Sequence, residues 1–163
     1  MRRIALYSIL SLVFILLQTT VVRFLSIGRI VPDIVLIWIV YVALREGQIA
    51  GTTAGFSLGL VLDLLSGSDG MLGLAALTKT VAGFIAGYFY DENKIFQIIG
   101  GYQALIALGV ASVLQNVIYF VIFLQGSGIA WWGAIVLYGL PTTFYTIVVA
   151  LLPMFVYARK YLT

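Results

Sequence analysis

Residues 47–65 read GQIAGTTAGFSLGLVLDLL. One acid, Asp63, interrupts an otherwise uncharged run, and Gly47, Gly51, Gly55 and Gly59 recur at every fourth position. Helical geometry places residues four apart on one ridge. A run of this length and polarity matches the roughly 20 residues needed to cross a bilayer core. In water such a glycine content would weaken a helix; in lipid it lets two helix backbones approach closely. The stretch therefore reads as a membrane helix shaped for close packing.

The rest of the chain agrees. Of its 163 residues, 63% are hydrophobic and 9% are charged, and the mean hydropathy is +1.13. A soluble domain carries about 25% charged residues, so this excess of apolar surface calls for lipid as the solvent. Cysteine and histidine are both absent, which removes the thiol nucleophile, the commonest catalytic base and the commonest metal ligands. No Ser-His pair, His-Glu metal motif or Gly-Lys phosphate loop is present. The composition thus argues against an enzyme and implies no cofactor. The net charge of +3 is spread along the chain, and no basic stripe tracks phosphates, so nucleic acid is not an expected partner. No linker or low-complexity segment divides residues 1–163, which predicts a single transmembrane helical domain.

Six hydrophobic runs predict an all-α, polytopic integral membrane protein with six transmembrane helices. The first spans Ile4 to Val22 and follows Met1-Arg2-Arg3; its apolar run is too long for a signal peptide and no small-residue cleavage site follows. The second is short. Pro32-Asp33 suits a helix start, but only Ile34 to Leu44 is continuously apolar. Either Asp33 dips below the interface or the helix begins earlier, near Ile27. The third runs from Gly47 to Leu65, and a turn at Ser66-Gly67-Ser68-Asp69-Gly70 leads to the fourth, Met71 to Tyr90. The fifth, Ile95 to Leu124, is too long for one upright helix, which predicts tilt or an interfacial first turn. After a turn at Gln125-Gly126-Ser127-Gly128 the sixth, Ile129 to Tyr157, carries Trp131 and Trp132 at its start and is expected to kink at Pro141 and Pro153.

With the N-terminus inside, Arg2, Arg3, Arg45, Lys94, Arg159 and Lys160 fall on the inner side and only Arg23 and Arg29 on the outer. The positive-inside rule then places both termini in the cytoplasm.

Several residues within the runs ask for a purpose. The Gly51, Gly55 and Gly59 ridge has two readings: packing inside the bundle, or a docking groove for a partner's transmembrane helix, with Gly55 the most sensitive position. Asp63 lies near the C-terminal end of its helix, where the dipole disfavours an acid. Lys79 lies mid-helix on a ridge with Ala75, Gly83 and Gly87, which predicts that it faces other helices. Asp63 and Lys79 are about 9 Å apart in axial register across the predicted hairpin and lean toward each other. They are expected to pair, either as a structural ion pair or as part of a ligand or partner site. Gln18, Thr19, Thr20, Gln115 and Asn116 are read as interhelical hydrogen-bonding groups, with Gln115 on a packed face beside Ala107 and Ala111. Six helices with polar groups on their inner faces could enclose a small pocket, and Asp33, at the start of the second run, is a further buried polar candidate.

Residues 32 to 90 carry a resemblance. Pro32-Asp33-Ile34-Val35-Leu36, Ala43-Leu44-Arg45-Glu46-Gly47, the glycines Gly51, Gly55 and Gly59, Asp63-Leu64-Leu65-Ser66-Gly67, and Gly70 and Gly73 follow one another in an order that resembles the rod shape-determining protein MreD family. The resemblance implies a non-enzymatic subunit of the bacterial cell-elongation machinery in the cytoplasmic (inner) membrane. It implies an MreC-like single-span partner and, indirectly, the peptidoglycan glycosyltransferase and transpeptidase of the elongation complex. It also implies a fold similar to the substrate-binding subunits of energy-coupling vitamin transporters, which supplies the alternative function. Those subunits commonly carry Ala-x-x-x-Ala on helix one; here that helix reads Ala5-Leu6-Tyr7-Ser8-Ile9.

Overall fold

The computed structural model describes residues 2–21, 24–26, 30–65, 71–125, 128 and 130–161, and these are helical apart from turns and short extended segments. Helix α1 (Arg2–Leu16) continues into a π-helical turn at Leu17–Val21, and α2 (Ile34–Glu46) follows. A single residue, Gly47, joins α2 to α3 (Gln48–Leu65). Its φ of 93° lies in the left-handed region that glycine adopts without strain. Helix α4 (Leu74–Ala86) ends in a 3-10 turn at Gly87–Phe89. The long fifth run breaks at Gly101 into a six-residue α5 (Ile95–Gly100) and α6 (Tyr102–Phe123), which is the short first turn expected from its length.

The last run begins as α7 (Trp131–Ala134), passes through a π-helical turn at Ile135–Gly139, and continues as α8 (Leu140–Tyr161). The irregularity expected at Pro141 takes the form of that π turn, because proline has no N–H to offer the preceding carbonyls. Pro153 sits inside α8 without ending it. The turns expected at 66–70 and at Gly126 and Ser127 lie outside the described residues.

Among the described residues three helical stretches are long and apolar enough to cross a membrane: Gln48–Leu65, Tyr102–Phe123 and Trp131–Met154. The apolar stretches Ala5–Thr20 and Leu74–Phe89 are shorter. At the second run α2 starts at Ile34, with Asp33 as its N-cap and the described residues 30–33 before it outside any helix; the earlier start considered near Ile27 falls on residues outside the described ones.

Two apolar clusters surround α2. On one side Leu36, Val40 and Ala43 meet Ala82 and Ala86 of α4, and Ala107 and Ala111 of α6. On the other, Val35, Trp38, Ile39 and Val42 meet Ile15 of α1 and Leu58 and Leu62 of α3. Trp38 stacks on Phe14 at 5.0 Å and donates its indole N–H to Ser11 Oγ at 2.9 Å. A short helix surrounded on both faces in this way makes α2 the core element.

Candidate functional site

The α3 glycines are occupied from within the chain. A Cβ on Gly55 would fall on the Lys79 carbonyl, one on Gly59 would lie 2.5 Å from Ala76 Cα, and one on Gly51 would lie 2.9 Å from Gly83 O. Gly83 in turn packs on the Gly51 backbone, and Gly87 on Gln48. The ridge thus forms the α3–α4 contact, and at Gly51 it also meets Ala43 of α2. Gly51, Gly55 and Gly59 pack inside the bundle, as the first of their two readings has it.

The expected pairing of Asp63 with Lys79 gives way to a different arrangement. Asp63, 9% exposed, accepts the backbone N–H groups of Gly73 (3.1 Å) and Ala76 (2.9 Å) on Oδ2, and that of Ala75 (3.0 Å) on Oδ1. Those donors belong to the start of α4. The N-cap residue there, Gly73, has no side chain to supply an oxygen, and its φ is 94°. Asp63 caps the next helix across the loop, with its charge at the positive end of that helix's dipole. Its unfavourable place at the end of its own helix is offset by its favourable place at the start of another.

Lys79, 5% exposed, pairs instead with Asp33. It stands about 8 Å down α4 from Leu74, five residues at 1.5 Å each. Asp33 is the N-cap of α2, and its Oδ1 accepts Leu36 N–H at 2.9 Å. Its Oδ2 takes both Lys79 and the Gln115 amide, the latter at 2.8 Å. Thr146 Oγ1 accepts the Asp33 backbone N–H at 3.0 Å. Gln18 holds the same turn from α1: its Oε1 accepts Ile34 N–H at 2.9 Å and its Nε2 donates to Pro32 O at 3.3 Å. Four helices thus meet at the start of α2 and satisfy backbone groups of its first turn that have no partner within the helix.

Asn116 belongs to a neighbouring network. Its Nδ2 donates to Gly139 O (3.2 Å) and to Thr143 Oγ1 (3.1 Å), and Ser112 Oγ donates to Thr143 Oγ1 at 2.9 Å. Gly139 closes the π turn, so the irregular backbone there is bonded across to α6. Gln18, Gln115 and Asn116 therefore make the interhelical bonds expected of them, whereas Thr19 and Thr20 bond back to Ile15 and Leu16 carbonyls of their own helix. Thr146, Thr143 and Ser112 were not singled out from the sequence. Hydroxyls at helix spacing facing Gln115 and Asn116 give no linear signal, since most such threonines bond within their own helix.

The two charges line a cavity of about 530 Å³ together with Gln18, Gln115, Asn116, Tyr119, Tyr138 and Thr142. A second cavity of about 400 Å³ lies between α1, α2, α6 and α8, walled by apolar groups such as Phe14, Trp38, Leu105 and Pro153. It holds no charged side chain, so polar chemistry belongs to the first. Among the described residues no group of three His, Cys, Asp or Glu is placed to hold a metal.

A helical protein whose long helices suit a bilayer, and in which Asp33, Asp63 and Lys79 are each matched inside the bundle, is an integral membrane protein. The family model for the rod shape-determining protein MreD matches residues 1–163, and the chain belongs to that family. It is a rod shape-determining membrane protein. No curated protein and no solved structure matches it.

Proposed function

We propose that this chain is a non-catalytic membrane subunit of the bacterial cell-elongation complex. In this reading it binds an MreC-like single-span protein and through it supports the glycosyltransferase and transpeptidase that build peptidoglycan. The observation that carries the reading is the family match over the whole chain. The lack of cysteine and histidine supports a role without chemistry of its own. So does the use of Asp33, Asp63 and Lys79 in holding helix starts.

The proposal includes residues 1–163 as one membrane domain in the cytoplasmic membrane, with six crossings and both termini inside. Helices α1, α2, α3, α4, α6 and α8 are the crossing elements, and the short α5 and α7 lie at bundle ends. Helix α2 reaches less than a full bilayer at about 20 Å, and the segment that brings Asp33 inward supplies the remaining depth. The six-helix arrangement is the one that the family resemblance links to the substrate-binding subunits of vitamin transporters. Nothing at the site favours vitamin uptake.

Affinity purification from native membranes tests the partner. An MreC-like chain should co-elute, and cells lacking the protein should lose their rod shape. Co-elution of an ATPase module in place of the MreC-like chain would overturn the assignment. Because the chain has no cysteine, single cysteines at positions 68, 93 and 127 report topology directly. An impermeant reagent added outside should label positions 68 and 127 and spare 93; the reverse pattern would defeat the orientation.

A further inference from the structure

We propose that the cavity beside the Lys79–Asp33 pair binds a neutral, hydroxyl-rich group, carried either by a free sugar or by a glycolipid headgroup. Its volume of about 530 Å³ falls in the range of small-ligand sites, about 300–1,000 Å³. The occupant's character follows from charge and from the hydrogen-bonding groups left over.

Charge comes first. Lys79 and Asp33 are the charged residues lining the cavity, and they are paired. An anion or a cation added there would stand as an unmatched charge in a region of low dielectric, which is costly. A neutral group avoids that cost.

The spare hydrogen-bonding groups narrow the chemistry. Asp33 already accepts from Leu36, Lys79 and Gln115, and the Gln18 amide is used at both ends. Gln115 Oε1, in contrast, is buried and accepts no hydrogen bond from any described residue. An ammonium has three N–H donors, and Lys79 spends one on Asp33. Tyr119, Tyr138 and Thr142, each of which carries a hydroxyl, also line the cavity. The wall therefore offers donors and acceptors together. A hydroxyl both donates and accepts, so it suits a wall of this mixed character. A fully ionised phosphate only accepts, so it would offer Gln115 Oε1 no donor. Tyr119 and Phe120 stand edge to face at 5.4 Å, giving an apolar wall on which the C–H face of a sugar ring can rest.

Native mass spectrometry of the purified full chain, delipidated in detergent, tests this with four probes: a monoglucosyl diacylglycerol, diacylglycerol with the same tails, phosphatidic acid, and free glucose. The glucolipid should be retained about tenfold better than diacylglycerol, the worth of one or two added hydrogen bonds. The double substitution Tyr138→Phe with Thr142→Val should abolish that preference while leaving the melting temperature close to that of the parent. Tyr138→Phe alone, which keeps the ring, serves if the double variant does not fold. If free glucose displaces the glucolipid, the site recognises the sugar from solution. If it binds poorly and does not displace it, the site needs the lipid-borne form. Either result supports the proposal. Equal retention of glucolipid and diacylglycerol, stronger retention of phosphatidic acid, failure of every probe to bind, or an unchanged preference in the variants would overturn it.

Discussion

Asp63 and Asp33 each hold the first turn of a helix inside the bundle, and each is provided for differently. Asp63 faces three backbone N–H groups of α4, so its charge is met by peptide dipoles. Asp33 meets one backbone N–H of its own helix and relies on a lysine and a glutamine from two others. The first arrangement is local to the α3–α4 hairpin and sits beside its glycine contact. The second ties α1, α2, α4, α6 and α8 together and borders the cavity that holds Lys79. A carboxylate inside the bundle can thus be satisfied by backbone alone or by side chains from afar.

The sharpest break in this comparison is expected at the glycine contact. Gly55→Leu should be the most damaging change, because its side chain would have to displace the α4 backbone at Lys79 and Thr80. Overpacking of yielding cores costs about 1–3 kcal/mol, and backbone yields less than side chains, so the variant should fail to accumulate in the membrane. A folded Gly55→Leu protein at normal levels that had lost only its partner would show that the ridge faces outward after all.

Next comes the ion pair. Lys79→Met leaves Asp33 buried without its cation, a loss of about 3–5 kcal/mol in thermal or denaturant unfolding. Asp33→Asn with Lys79→Met should cost far less than the sum of the single changes. Asp63→Asn combined with Lys79→Met should instead add, because the two residues share no partner. Coupling in the second pair and additivity in the first would reverse the assignment.

Asp63→Asn should be milder. One amide oxygen remains to accept, while the amide nitrogen faces donors, so at least one N–H at the start of α4 goes unmet, for about 1–3 kcal/mol. Hydrogen exchange should quicken at Gly73, Ala75 and Ala76 and stay unchanged at Leu36. Equal effects at both helix starts would mean that the two caps are not independent.

Much of this was legible in the sequence, and what escaped has a physical cause. The glycine ladder announced close packing, and the inward face of Lys79 followed from Ala75, Gly83 and Gly87 on its ridge. The short second run left open the possibility that Asp33 dips inward. The partner of Lys79 escaped because register within one hairpin says nothing of a third helix entering beside it; Asp33 lies 46 positions away in sequence. The role of Asp63 did leave a trace. The start of α4 reads Gly73-Leu74-Ala75-Ala76, with no side-chain oxygen to cap it, so some outside acceptor was required. Asp63, at the end of the preceding helix, was the nearest acid within the hairpin's helices. The dipole of its own helix drew attention away from the dipole of the next.

The smallest effect is expected at Thr146, and it probes how the Asp33 side of the comparison is built. Thr146 is fully buried on α8; its Oγ1 accepts the Asp33 N–H at 3.0 Å and donates to Thr142 O at 2.8 Å. Thr146→Val keeps the branched shape, removes the acceptor and leaves the Asp33 N–H unmet. Interhelical hydrogen bonds in membranes average below about 1 kcal/mol, because the unfolded chain in lipid also finds partners. A loss of about 1 kcal/mol is therefore expected, and Thr52→Val is the control, since Thr52 bonds only to the Gln48 carbonyl of its own helix. If α8 fixes the entry of α2, Thr146→Val should also loosen Asp33 and weaken its measured coupling to Lys79. A change at Thr146 no larger than at Thr52, with that coupling intact, would show that α1, α4 and α6 position Asp33 without α8.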